Sequence, residues 1–221
     1  KNEVLSLKRK LKQHNLDHAC EEVSKVKLES FEPEISTNFK NALYFPNEGH
    51  VDPLSFHKAF VEKIVPQCRD YYFDTEVVNI KNHSVETKKG HYSFDYIIDC
   101  RGLQAKNNLS TLRGVRGEVI KVKASGVKIS RPVRLMHPRY QIYVVPRPED
   151  CYLIGATTIE SEDFSPVSVR SALELLSAFY SLNSSFSEAR ILEMNVQCRP
   201  AFTNNNPKII FTKGGGLIRV N

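Results

Sequence analysis

The chain has 221 residues, 41% of them hydrophobic and 25% charged, with five cysteines and a formal net charge of +6. That is enough apolar material for one large or two small packed domains, and it excludes a disordered or fibrous chain. No window approaches the ~20 uninterrupted apolar residues of a membrane span and no apolar signal core opens the chain, so a soluble cytoplasmic protein is expected.

Cys20, Cys68, Cys100, Cys151 and Cys198 are odd in number and lack CxxC spacing, so reduced thiols are expected rather than a disulfide framework. The chain opens at Lys1 rather than Met and is read as a piece of a longer polypeptide. Residues 4–16 carry Val4, Leu5, Leu7 and Leu11 at helical spacing beside Lys8, Arg9, Lys10 and Lys12. A solvated helix face is the expectation there, ahead of a nucleic-acid or acidic-partner patch, because the other basic residues do not cluster.

A polar stretch follows, then a short strand at residues 41–45 ending in Pro46-Asn47-Glu48-Gly49 turn chemistry. Asp52-Pro53 opens a helix to about Pro66, with Phe56, Ala59, Phe60, Ile64 and Val65 as its apolar face. Residues 72–80 read as a strand, and residues 84–87 and 91–94 as a hairpin around Lys88-Lys89-Gly90. The apolar run Asp95-Tyr96-Ile97-Ile98-Asp99-Cys100 fits a buried strand entering a ligand-facing turn at Arg101-Gly102.

Further strands are expected at residues 117–123, 133–137, 141–145, 152–157, 191–197 and 208–212, with Gly214-Gly215-Gly216 as a turn before a last strand. Ser165-Pro166 begins a second long helix whose apolar face is Val169, Ala172, Leu173, Leu176, Phe179 and Tyr180. The expected class is α+β with a large, mainly antiparallel sheet.

Arg199 precedes Pro200 at the end of an apolar strand, so the proline ring holds its backbone extended and fixes the direction of the side chain. Its planar guanidinium can grip a carboxylate through two parallel bonds, or serve as a structural ion pair. Gln141 and Tyr143 alternate onto one strand face and, with Arg199, make a candidate pocket for a small polar substrate. His50, His57 and Cys68, and His14 with His18, match no common zinc spacing, and no metal is expected. No G-x-S-x-G elbow or P-loop is present.

Asp95-Tyr96-Ile97-Ile98-Asp99-Cys100-Arg101-Gly102-Leu103, Leu112-Arg113-Gly114-Val115-Arg116-Gly117-Glu118, Arg131-Pro132-Val133-Arg134, His137-Pro138-Arg139-Tyr140, Tyr143-Val144-Val145-Pro146-Arg147, Ile154-Gly155-Ala156-Thr157 and Arg199-Pro200-Ala201-Phe202 stand in one order. In that order the chain, from about Ala42 onward, resembles the FAD-dependent amino-acid oxidases of the D-amino-acid oxidase family, nearest to the glycine oxidases of bacterial thiamine biosynthesis. The resemblance implies a substrate domain with an antiparallel sheet over the flavin. Residues 1–50 would begin that domain, 51–104 belong to the FAD-binding domain, 105–206 complete the substrate domain and 207–221 return as a strand to the FAD-binding domain.

It further implies Arg199 on the substrate carboxylate, with Tyr143 near it and Gln141 where glycine oxidases can carry a histidine. Val77, Cys100, Arg101 and Gly102 would lie along FAD. The implied reaction is oxidative deamination of glycine or a small secondary amine, with peroxide release. Rival readings are a D-amino-acid dehydrogenase or sarcosine-oxidase type enzyme, and a non-catalytic assembly module. The family's G-x-G-x-x-G is absent and the chain stops short of its flavin loop, so a central piece binding little or no FAD alone is expected. The partner is a small amino acid, with no nucleic acid or membrane, and the resemblance favours a homo-oligomer.

Overall fold

The computed structural model describes residues 2–136 and 141–221. The motif at His137-Pro138-Arg139-Tyr140 and the end of the strand expected at 133–137 lie outside the described residues.

The basic helix α1 (Asn2–Gln13) keeps Leu7 and Leu11 half-buried and exposes Arg9, Lys10 and Lys12. The stretch read as featureless polar chain holds a strand and two short helices: β1 (Glu21–Ser24), α2 (Lys25–Phe31) and α3 (Pro33–Ser36). Tertiary burial makes these pieces, since Val23, Leu28 and Ile35 all enter the main core. β2 (Asn41–Tyr44) pairs antiparallel with β1.

α4 (Pro53–Ile64) starts at the expected proline but buries none of its residues. Phe56 and Phe60 stack on each other in the open, their ring centroids 5.9 Å apart. Only Val77 onward of the strand expected at 72–80 forms: β3 (Val77–Lys81), β4 (Ser84–Thr87) and β5 (Gly90–Ser93) make an antiparallel meander. The aromatic residues before it leave the ladder where Asp74 takes a left-handed φ of 47°, and Tyr72 packs on Tyr92 instead.

β6 is only Ile97–Asp99, and it alternates rather than being buried on both faces, with Ile98 63% exposed. After a 3-10 turn over Gly102–Asn108 come β7 (Arg113–Lys123), β8 (Val133–Met136), β9 (Gln141–Arg147) and β10 (Cys151–Gly155). α5 (Val169–Leu182) begins beyond Ser165-Pro166, capped by the Ser168 hydroxyl on the Ser171 N–H at 3.1 Å. Its buried face is Ser171, Leu175, Ala178, Phe179 and Leu182, whereas Val169, Leu173 and Tyr180 are exposed. The expected face was therefore rotated: apolar residues surround this helix, and the sheet it meets selects among them.

β11 (Arg190–Ala201), β12 (Ile209–Phe211) and β13 (Leu217–Val220) complete the chain. The class is α+β with mainly antiparallel sheet, the strands among the described residues being divided over four sheets. Two compact units emerge. One comprises residues 1–52, 117–159 and 164–197, the other 53–116, 160–163 and 198–221.

In the first unit the five-stranded sheet runs β11-β7-β10-β9-β8. Ile120, Val122, Ile142, Val144, Tyr152 and Ile154 point from one face into a core closed by α5, α2 and α3. In the second unit β6 runs parallel to β13, and Ile97 and Leu217 pack with Ile80 of the meander.

Candidate functional site

The other face of the five-stranded sheet is where period-two alternation sends Gln141, Tyr143 and Val145 while Ile142 and Val144 enter the core. Strand register sets their neighbours. Tyr143 lies between Arg134 on β8 and Gly155 on β10, Gln141 faces Met136, and Val145 faces Leu153, which in turn faces Lys121 on β7. Tyr143, Val145 and Leu153 are half-buried and Gln141 is exposed. Lys121 donates to Glu193 at 3.1 Å, and that bond raises the lysine's pKa while lowering the carboxylate's. At one end of the strand, Arg147 Nε stands 3.5 Å from Asp52. The face therefore combines hydroxyl, carboxamide and cationic groups around an apolar strip, a composition suited to orienting a small polar molecule.

In the second unit, Arg199 is exposed within β11 and its backbone continues extended through Pro200. The chain beyond it is tied down. Phe202 is buried with Ala105 and Leu112, and Arg113 donates to the Phe202 carbonyl, to Asn205 at 2.9 Å and to both carboxylate oxygens of Glu160 at 2.9 and 3.1 Å. Glu162 accepts from Lys106 at 2.6 Å and from the Gly114 N–H at 2.9 Å, bonds that depress its pKa in that order.

Val77, Cys100, Arg101 and Gly102 also belong to the second unit. Val77 packs against the cluster of Ile80, Ile97 and Leu217, so one hydrophobic nucleus joins its strand to β6. A register shift between Val77 and Asn79 leaves Val78 without a partner residue on β4. At the end of β6, Asp99 is buried and accepts Arg101 Nε at 2.8 Å, Nη2 at 2.9 Å and the Arg101 N–H at 3.3 Å. Arg101 also donates to Asn108 at 3.0 Å. The side-chain bond from Arg101 is the first cause of the depressed Asp99 pKa, burial opposing it, and the same bond raises the pKa of Arg101.

The turn so held exposes Cys100 and passes through Gly102 at a φ of +58°, where a side chain would be strained. A glycine turn past the carboxyl end of a strand in a parallel pair is where α/β sheets receive dinucleotides, so these residues fit one flank of FAD. Arg101 contributes there by holding the turn, since Nε and Nη2 are spent on Asp99 and Asn108.

The structure thus brings Gln141 and Tyr143 onto one face of the first unit, while Val77, the Cys100–Gly102 turn and Arg199 all belong to the second. Reasoning from sequence missed the Asp99 anchor and the Arg113 hub. An acid two residues from an arginine after an apolar strand is the signal for the first, while the second joins segments distant in sequence. Among the described residues no group of three or more His, Cys, Asp or Glu stands ready to hold a metal. No helix among them is long and apolar enough to cross a membrane.

Residues 2–218 match the family described as DAO, FAD dependent oxidoreductase. A protein of Rhizobium etli carrying the provisional name thiamine biosynthesis oxidoreductase ThiO is 35% identical over 199 residues, which are 90% of this chain and 57% of that protein. The chain thus spans less than two thirds of that relative.

Among solved structures, glycine oxidase from Geobacillus kaustophilus superposes with a TM-score of 0.80 at 21% identity, over 91% of this chain and 56% of that one. L-proline dehydrogenase from P. horikoshii gives 0.84 at 15% identity, over 100% and 63%. At such identities the two share the fold with this chain. The match over almost every residue settles the family: the chain belongs to the FAD-dependent oxidoreductases of the DAO type.

Proposed function

We propose that the protein is an amino-acid oxidase that deaminates glycine or a small secondary amine and serves thiamine biosynthesis. The observation that carries this reading is the 35% identity over 199 residues to the Rhizobium etli protein named for that pathway. Val77 and the Cys100–Gly102 turn would hold FAD, which would supply a hydride acceptor for the substrate α-carbon and a route for the electrons to dioxygen, released as hydrogen peroxide.

The chain's own residues supply position. Arg199 takes the substrate carboxylate, its extended backbone before Pro200 limiting where the guanidinium can go. Tyr143 donates its phenol hydrogen to a substrate oxygen, and the Gln141 carboxamide offers both a donor and an acceptor. Val145 and Leu153 give the half-buried apolar strip that thins water around the α-carbon. The amine reacts in its neutral form, its ammonium proton having passed to solvent beforehand, and the imine product hydrolyses to the oxo acid with release of ammonia from glycine or of a primary amine from a secondary amine.

A cytoplasmic compartment is the expectation from the sequence, and a homo-oligomer is the assembly that the resemblance favours. Peroxide release by the holoprotein over a panel of glycine, sarcosine and D-amino acids tests the reading. Glycine or sarcosine is expected to be turned over best. Preference for bulky D-amino acids, or no peroxide with any of them, would overturn it.

A further inference from the structure

Tyr143 and Gly155 face each other across β9 and β10. A Cβ built on Gly155 falls 2.8 Å from Tyr143 Cε2, and closer still to Cζ and the hydroxyl oxygen. Carbon atoms in favourable contact sit about 3.5 Å apart or more, so no other residue type fits at position 155 while the ring keeps its place. The contact is with the hydroxyl end of the ring. Tyr143 therefore leans away from Arg134, its partner on β8, and carries its hydroxyl above the backbone of β10, in the row that continues to Val119 on β7.

A glycine inside a strand forfeits packing and adds backbone entropy to the unfolded chain, unless another group occupies the space it leaves. Here an aromatic ring does so. The ring is confined below by the Gly155 backbone, which reduces the rotamers open to it and fixes the donor at its tip.

We propose that Gly155 is a positioning residue: its missing side chain seats Tyr143, and the seat sets where the phenol hydroxyl meets the substrate. The proposal rests on the reading that Tyr143 contacts substrate. A methyl group at 155 tilts the ring outward and moves the hydroxyl by a distance comparable to a hydrogen bond's tolerance. The ligand affected is a small amino acid presenting an oxygen to Tyr143. A larger substrate side chain would compete for the space above Gly155.

The test is a double-variant cycle in the holoprotein with Gly155→Ala, Tyr143→Ala and the two combined, reading KM and kcat for glycine and the melting temperature. Gly155→Ala is expected to raise KM about tenfold with kcat nearly kept, because it displaces a binding donor rather than the hydride path. In the Tyr143→Ala background the same change is expected to leave KM within about twofold, and its melting penalty to vanish, since no ring remains to be displaced.

An equal KM rise in both backgrounds would overturn the seat while leaving the substrate reading intact. If Tyr143→Ala itself leaves KM unchanged, the substrate reading and the proposal both fall, whatever the melting temperatures show. Should Gly155→Ala alone fail to fold, the combined variant decides: folded protein with the KM of Tyr143→Ala supports the seat, and failure to fold overturns it.

Discussion

Asp99 and Arg101, two residues apart at the end of β6, form a two-point clamp: Nε and Nη2 of the guanidinium each reach a different oxygen of the buried carboxylate, at 2.8 and 2.9 Å. Arg219, opposite Asp99 on β13, adds a second cation 3.5 Å away. The pair holds the turn from Cys100 to Gly102.

Arg101→Ala leaves a buried carboxylate with weaker compensation, and a loss on the order of 3 kcal/mol is expected in urea unfolding at neutral pH. The sign with pH follows from the depressed Asp99 pKa, caused first by the Arg101 side-chain bond. A carboxylate whose folded pKa lies below its unfolded value adds stability that is present above the unfolded value and lost as pH falls through the folded one. The deficit of Arg101→Ala should therefore shrink once the pH drops below about 4. A deficit independent of pH would show that Arg101 acts by packing alone.

The two leucines Leu173 and Leu175 of α5 separate the observed buried face from the one expected from sequence. Leu175 is 3% exposed and Leu173 61%. Leu175→Ala should cost about 3 kcal/mol through lost burial and a cavity, whereas Leu173→Ala should stay within about 0.5 kcal/mol. Equal losses in denaturant titration would mean the helix is rotated from its position here.

Tyr152 donates its hydroxyl to the Val127 carbonyl at 2.8 Å and accepts the Ile129 N–H at 3.2 Å. Tyr152→Phe strands both backbone groups and should cost about 2 kcal/mol. Burial is the first cause of this phenol's raised pKa. A raised folded pKa gives stability that is complete below the unfolded value and lost as pH climbs, so the gap between wild type and Tyr152→Phe should narrow above about pH 10. Unfolding titrations at neutral and alkaline pH check both statements.

What the sequence made legible follows from how local each cause is. Period-two alternation suffices to put Gln141 and Tyr143 on one side of β9, and Pro53 suffices to start α4. The face of α5 is not local. Leu173, Leu175 and Leu176 are all apolar, and contact with Ile154, Tyr152 and their neighbours selects among them. The strand expected at 72–76 failed because aromatic β-formers were outweighed by a left-handed Asp74 and by ring contacts such as Tyr71 with Phe73. α2 and α3 are too short to announce themselves by periodicity, and they exist because Leu28 and Ile35 find a core. In the candidate site, residue types were readable, but the ring of Tyr143 over Gly155 and the grip of Arg113 on Phe202, Asn205 and Glu160 depend on pairings between distant segments.

Steady-state kinetics of the holoprotein with glycine, before and after Arg199→Ala, bear most directly on the claim that this oxidoreductase acts on a small amino acid held by its carboxylate. Loss of two charge-assisted bonds predicts a fall in kcat/KM of about 100-fold, carried mainly by KM, with partial recovery in Arg199→Lys. Unchanged KM and kcat in Arg199→Ala would contradict the account.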